Sequence, residues 1–100
     1  MPIITRENIE VRDTETEIIE PQETDKEKDR ILSVSNGDYE IELKAWGSND
    51  GETWVEKDTL IIPANNTGSL TVGPNVRSVK LTGNTTTPST TSIVDASLTY

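Results

Sequence analysis

The 100-residue sequence contains no cysteine, no histidine and no phenylalanine. Without cysteine it has no disulfide framework, thiolate zinc site or cysteine nucleophile, and without histidine it lacks the imidazole that most hydrolytic triads require. Aromatic residues are scarce, two Trp and two Tyr, and 31% of residues are hydrophobic, so any interior is small and mainly aliphatic. No apolar run approaches the roughly twenty residues of a membrane span, and the opening Pro2-Ile3-Ile4-Thr5-Arg6-Glu7 lacks the basic start and apolar stretch of a secretory signal. The expectation is a chain made in the cytoplasm, with no membrane partner. Positive charge is also scarce: 9 basic residues face 18 acidic ones, and the net charge of −9 would be repelled by phosphates, so nucleic acid is not an expected partner.

The charge is unevenly placed. Residues 1–30 carry ten acids and five bases, and residues 13–30 have few apolar groups, no aromatics and one proline. Such a composition offsets little of the entropy lost on ordering. Residues 1–30 therefore read as an extended acidic N-terminal arm outside the core, with 20–30 as linker, and 31–100 as the folded domain. Within the arm Ile9 and Val11 alternate with polar neighbours, and Ile3, Ile4, Ile18 and Ile19 stand as apolar pairs. A β-competent piece on a tether either forms an edge strand of its own domain or pairs with a neighbouring subunit's sheet edge, which makes these six residues the candidate arm interface. On the arm reading, deleting residues 1–19 leaves the core folded.

From residue 31 onward, short alternating runs are separated by turn residues, the texture of an all-β antiparallel sandwich, jelly-roll-like in size. Candidate strands are 31–35, 39–46, 53–58, 59–62, 69–72, 76–81 and 92–100. Tyr39, Ile41, Leu43 and Ala45 share one parity against Glu40, Glu42 and Lys44, and Val94, Ala96, Leu98 and Tyr100 share another. Each set predicts a strand with one wet face.

Ser48-Asn49-Asp50-Gly51-Glu52-Thr53-Trp54 is the most informative string. Asn-Asp-Gly suits a three-residue hairpin loop with Gly51 left-handed, which would pair Ser48 with Glu52, Trp46 with Trp54, Ala45 with Val55 and Lys44 with Glu56. The string resembles the hairpin of discoidin-like, small jelly-roll sandwich modules that also occur in tailed-phage virion proteins, and the strand pattern of residues 39–82 accompanies it. The resemblance implies a non-enzymatic structural protein of a virion, as capsid decoration, head–tail adaptor or tail-associated subunit. Its partners would be copies of itself and neighbouring virion proteins. A carbohydrate-binding sandwich used in host recognition is the alternative.

No catalytic, metal-binding or cofactor-binding residues are expected. Asn49, Asp50 and Glu52 are oxygen-rich, but they lack the spacing of a calcium loop, and acid pairs such as Glu40 and Glu42 read as a solvated strand face. Trp46 and Trp54 read first as plugs at the end of a thin core, then, with Asn49 and Asp50, as an interface or glycan contact.

Overall fold

A computed structural model describes residues 3–24 and 27–100. Alternation sets its strands: in the last, Val94, Ala96 and Leu98 are buried while Ile93 and Asp95 face solvent. Among the described residues eight strands form: β1 (Ile3–Val11), β2 (Thr16–Glu23), β3 (Arg30–Ser35), β4 (Ile41–Ser48), β5 (Val55–Ile62), β6 (Thr67–Val72), β7 (Ser78–Thr85) and β8 (Ser92–Thr99). They make two antiparallel four-stranded sheets, sheet A in the order β1-β8-β3-β6 and sheet B in the order β2-β7-β4-β5. Only β4 and β5 are joined within a sheet; every other connection crosses between sheets. This is the eight-strand jelly roll, and the all-β sandwich expected from the sequence is what the chain forms.

The arm and its boundary at residue 30 do not survive. β1 pairs with β8 from Ile3↔Thr99 to Val11↔Ser92, and β2 pairs with β7 from Thr16↔Gly83 to Glu23↔Ser78. Val11, Ile18 and Ile19 are buried in the chain's own core, and Ile4 and Ile9 pack against it. The physical reason is closure: the six strands of 30–100 leave β8 and β7 with open edges on the same side, and β1 and β2 fill both. The expected linker shortens to the connection between Glu23 and Arg30, in which Asp25 and Lys26 lie outside the described residues, as do Met1 and Pro2 of the expected arm.

The core is aliphatic throughout, with Leu32, Val34, Leu70, Val72, Val94, Ala96 and Leu98 from sheet A facing Ile41, Leu43, Ala45, Ile62, Val79 and Leu81 from sheet B. Neither tryptophan belongs to it. The two strands expected at 53–58 and 59–62 are one, β5, with a register shift opposite Ala45/Trp46 that interrupts the alternation at Lys57.

Polar side chains tie the corners. Arg30, fully buried at the start of β3, donates through one terminal nitrogen to the Val76 carbonyl at 2.8 Å and the Thr24 hydroxyl at 3.3 Å. Its other terminal nitrogen reaches the Gly73 carbonyl at 2.8 Å. At the opposite end the Asn36 amide donates to the carbonyls of Tyr39, Ile62 and Pro63, while its oxygen accepts from Gly37 N–H and the Ser92 hydroxyl. Gly37 is required there, because a Cβ would meet the Ile93 carbonyl oxygen at 2.5 Å.

Candidate interaction faces

The hairpin loop is built by two side chains. The Ser48 hydroxyl accepts the N–H groups of Asp50 and Gly51 at 3.3 and 2.9 Å. Asp50 Oδ1 accepts those of Glu52 and Thr53 at 2.9 and 2.8 Å, and the Ser48 hydroxyl at 3.0 Å. These bonds widen the loop to residues 49–54, so Gly47 pairs with Val55 and Trp46 with Glu56, correcting the expected register. Gly51 does take the left-handed conformation, with φ of 78°. The Asn49 Oδ1 accepts the Arg77 N–H at 3.1 Å. Asp50 thus serves the loop's own backbone, and Asn49 ties the loop to the backbone at Arg77.

The N–H groups of Thr53 and Glu52, with the Ser48 hydroxyl, hold the Asp50 carboxyl down at about 2. A carboxylate whose folded pKa lies below its unfolded value stabilises the fold above the unfolded pKa and loses that contribution as pH falls through the folded one. The stability advantage of the native chain over Asp50→Ala is therefore expected to shrink between about pH 4 and about pH 2. Urea unfolding of both chains across that window checks it; a constant difference would count against the loop assignment.

Trp46 follows core-facing Ala45, so its side chain emerges on the outer face of sheet B. There the Lys80 ammonium lies over both its ring and that of Trp54 from the loop, 5.6 Å from the Trp46 centroid and 4.7 Å from that of Trp54. The Trp46 indole N–H donates to the Thr82 hydroxyl at 2.9 Å, and that hydroxyl lies 3.4 Å from a Glu15 carboxylate oxygen. The two tryptophans do come together, as an outer-face cation–π cluster and not as core plugs. A stacking sugar would have to compete with the Lys80 ammonium for these rings. Lys80 and Glu15 were not singled out in the sequence; the alternation of Val79, Lys80 and Leu81 points Lys80 outward, but only the fold sets it beside Trp46.

The outer face of sheet A is of a different kind. Cross-strand partners align Thr5, Ser97, Ser33 and Ser69 in one row over all four strands. Asp95, Ser35 and Thr67 form the next row, and Ile3, Thr99, Ile31 and Thr71 the row on the other side. The hydroxyl rows floor a shallow depression of about 440 Å³, walled on one side by Arg6 and Glu7. That wall stands where β1 bulges between Arg6 and Ile9, with Asn8 at φ of 55° and its N–H bound to Asp95 Oδ1 at 2.9 Å. Ile3, Ile31 and Ile93 flank the floor with 60%, 43% and 47% of their surface exposed. Of the six arm candidates, then, Ile3 alone stands on an exposed face.

The two open sides of the sandwich are closed differently. Arg6 on β1 makes a forked ion pair with Glu20 on β2, which raises the Arg6 pKa and lowers that of Glu20. On the other side Asp58 of β5 accepts the Thr71 N–H of β6 at 3.1 Å, covering an otherwise open donor. Among the described residues, no three His, Cys, Asp or Glu side chains converge to hold a metal ion.

No protein-family model matches the chain, and no curated protein does. Among solved structures the fold is similar to that of PirA, with a TM-score of 0.64 at 13% identity, over 93% of this chain and 90% of that one. A chain from Bacillus endospore appendages, a family of disulfide-linked pili, aligns over 96% of this chain and 86% of that one at 13% identity, with a TM-score of 0.39. The first likeness is one of fold alone, and the second is too loose to establish a common fold.

Proposed function

We propose that this chain is a non-enzymatic structural subunit of a repeating assembly, of the kind that tailed-phage virions build as capsid decoration, head–tail adaptor or tail-associated parts. The outer face of sheet A is its contact surface. Jelly rolls serve both in viral capsids and in lectins, so the fold leaves both classes open. The observation that carries the reading is the flat face of small hydroxyl side chains bordered by exposed Ile3, Ile31 and Ile93. Branched aliphatic side chains are costly to leave in water, and short hydroxyl residues between them let a second surface approach closely. The likeness of residues 48–54 to phage sandwich modules supports the virion setting. A glycan-binding role at Trp46 and Trp54 is the weaker reading, because a sugar would compete with Lys80 for both rings.

Strand spacing of about 4.8 Å and rise of about 3.3 Å give the face roughly 500 Å² per copy, so a face-to-face contact buries about 1,000 Å². That is the lower limit for a specific interface, weak for a pair and cumulative in a lattice of many copies. Light scattering is expected to show a mass that rises with concentration. Replacing Ile3 and Ile31 by Glu should shift association to at least tenfold higher concentration, with the melting temperature unchanged. A native chain that stays monomeric at millimolar concentration, or a variant that associates equally well, would overturn the reading.

A further inference from the structure

We propose that residues 3–23 are an exchangeable element: in the assembled state the β1–β2 segment leaves its own sandwich and completes that of a neighbouring copy of the same chain. The inference rests on the assembly reading above and adds to it the link between copies.

The segment supplies both edge strands on one side of the sandwich, as β5 and β6 do on the other, and its pairing is the more broken of the two. β1 pairs with β8 alone and β2 with β7 alone, both on the same open side of the sandwich. Its ladders are broken three times, between Arg6 and Ile9, between Glu17 and Ile19, and between Ile19 and Gln22, against one shift in β4–β5 and none in β3–β6, β3–β8 and β4–β7. Pro21 within β2 has no N–H to give to the ladder, and Asn8 holds a left-handed backbone, costly for a residue other than glycine. Broken pairing lowers the cost of opening this edge relative to an unbroken one, although the buried Val11, Ile18 and Ile19 keep the open state short-lived.

It also detaches as one piece. The Arg6–Glu20 ion pair lies wholly within the segment, and the turn between the strands is tied by Arg12 N–H to the Thr16 hydroxyl at 3.2 Å and by that hydroxyl to the Thr14 carbonyl at 3.0 Å. None of these bonds is lost on leaving.

What remains is a receptacle that admits little else. The edges of β8 and β7 stand open, and the places of Val11, Ile18 and Ile19 are empty. The Ile18 place is shaped by a glycine: a Cβ on Gly83 would come within 3.0 Å of Ile18 Cδ1 and 2.8 Å of Leu43 Cδ2. The same segment from another copy restores every contact, the condition under which strand exchange costs little. The seven steps from Glu23 to Arg30 span at most about 25 Å, less than the 27 Å middle dimension of the molecule, so the recipient lies alongside the donor.

Ile9 and Val94 are directly opposed, Val94 buried and Ile9 packed against the core, so cysteines at these positions in different chains meet only if one chain's β1 lies in the other's body. The native chain has no cysteine to interfere. Ile9→Cys and Val94→Cys chains are mixed, concentrated until they associate, oxidised mildly and run on a non-reducing gel. Exchange gives a covalent heterodimer, and the double variant gives a ladder when associated but an internal bridge when dilute. Associated mixtures that yield monomers only, while the dilute double variant closes internally, would overturn exchange and leave the assembly reading standing. Absence of any association overturns both. Ile4→Cys with Leu98→Cys, also directly opposed, repeats the test should the first pair impair folding.

Discussion

A chain beginning at residue 24 is expected to lose its cooperative unfolding transition. The missing segment brings Val11, Ile18 and Ile19, each with 2% or less of its surface exposed, and Ile4 and Ile9 packed against them. A fully buried aliphatic side chain stabilises the fold by about 1.5–3 kcal/mol, so the first three together contribute roughly 5–9 kcal/mol. Domains of this size have a total of only about 5–15 kcal/mol. The truncation also uncovers the β7 and β8 edges and the core side chains beneath, which adds to the loss. This reverses the behaviour expected of a detached arm, whose removal would leave the remaining seventy residues folded. It agrees with exchange between copies, because the open body is then a short-lived state that the next copy's segment closes.

Arg30→Ala is expected to destabilise the chain by about 3–5 kcal/mol, lowering its melting temperature by roughly 15–30 °C. The guanidinium gathers the carbonyls of Gly73 and Val76 and the Thr24 hydroxyl, joining the start of β3 to the β6–β7 crossing and to the end of β2. Removing it leaves two carbonyls without these donors and a cavity the size of the largest buried side chain in the molecule. Arg30→Lys keeps the charge but cannot fork between two carbonyls, so an intermediate loss is expected. Thermal unfolding of the three chains checks the order. An Arg30→Ala chain that melts within a few degrees of the native one would show that the buried guanidinium contributes little.

The strands of 31–100 were legible because their alternation is clean: Ile41, Leu43 and Ala45 are fully buried, as are Leu98 and, nearly so, Val94 and Ala96. Tyr39, of the same parity, is left exposed because β4 begins only at Ile41. Strand β5 read as two because the bulge at Lys57 flips its parity. The alternation of Ile9 and Val11 marks β1 as β-competent, and the structure takes the alternative of an edge strand in its own domain, whereas β2 was hidden. Bulges at both ends of Ile19 let adjacent Ile18 and Ile19 enter the core together, which no period-two reading allows, and the acidic outward positions dominate the composition. The hairpin register differs because backbone preference alone makes Asn49-Asp50-Gly51 a three-residue loop with Ser48 opposite Glu52, whereas the Ser48 and Asp50 side chains cap four N–H groups and widen it. Arg30 and the Lys80 cluster carry no local signal at all, since each depends on partners more than thirty positions away.

Residues 3–23 are part of the sandwich. The most direct measurement is urea unfolding of the full chain beside the chain that begins at residue 24, followed by far-UV circular dichroism and the dispersion of amide signals in NMR. The full chain should unfold in one cooperative step, and the shortened chain should show no transition and collapsed amide dispersion. A shortened chain that keeps the dispersed spectrum of residues 30–100 and the midpoint of the full chain would contradict the account and return the segment to the role of an arm.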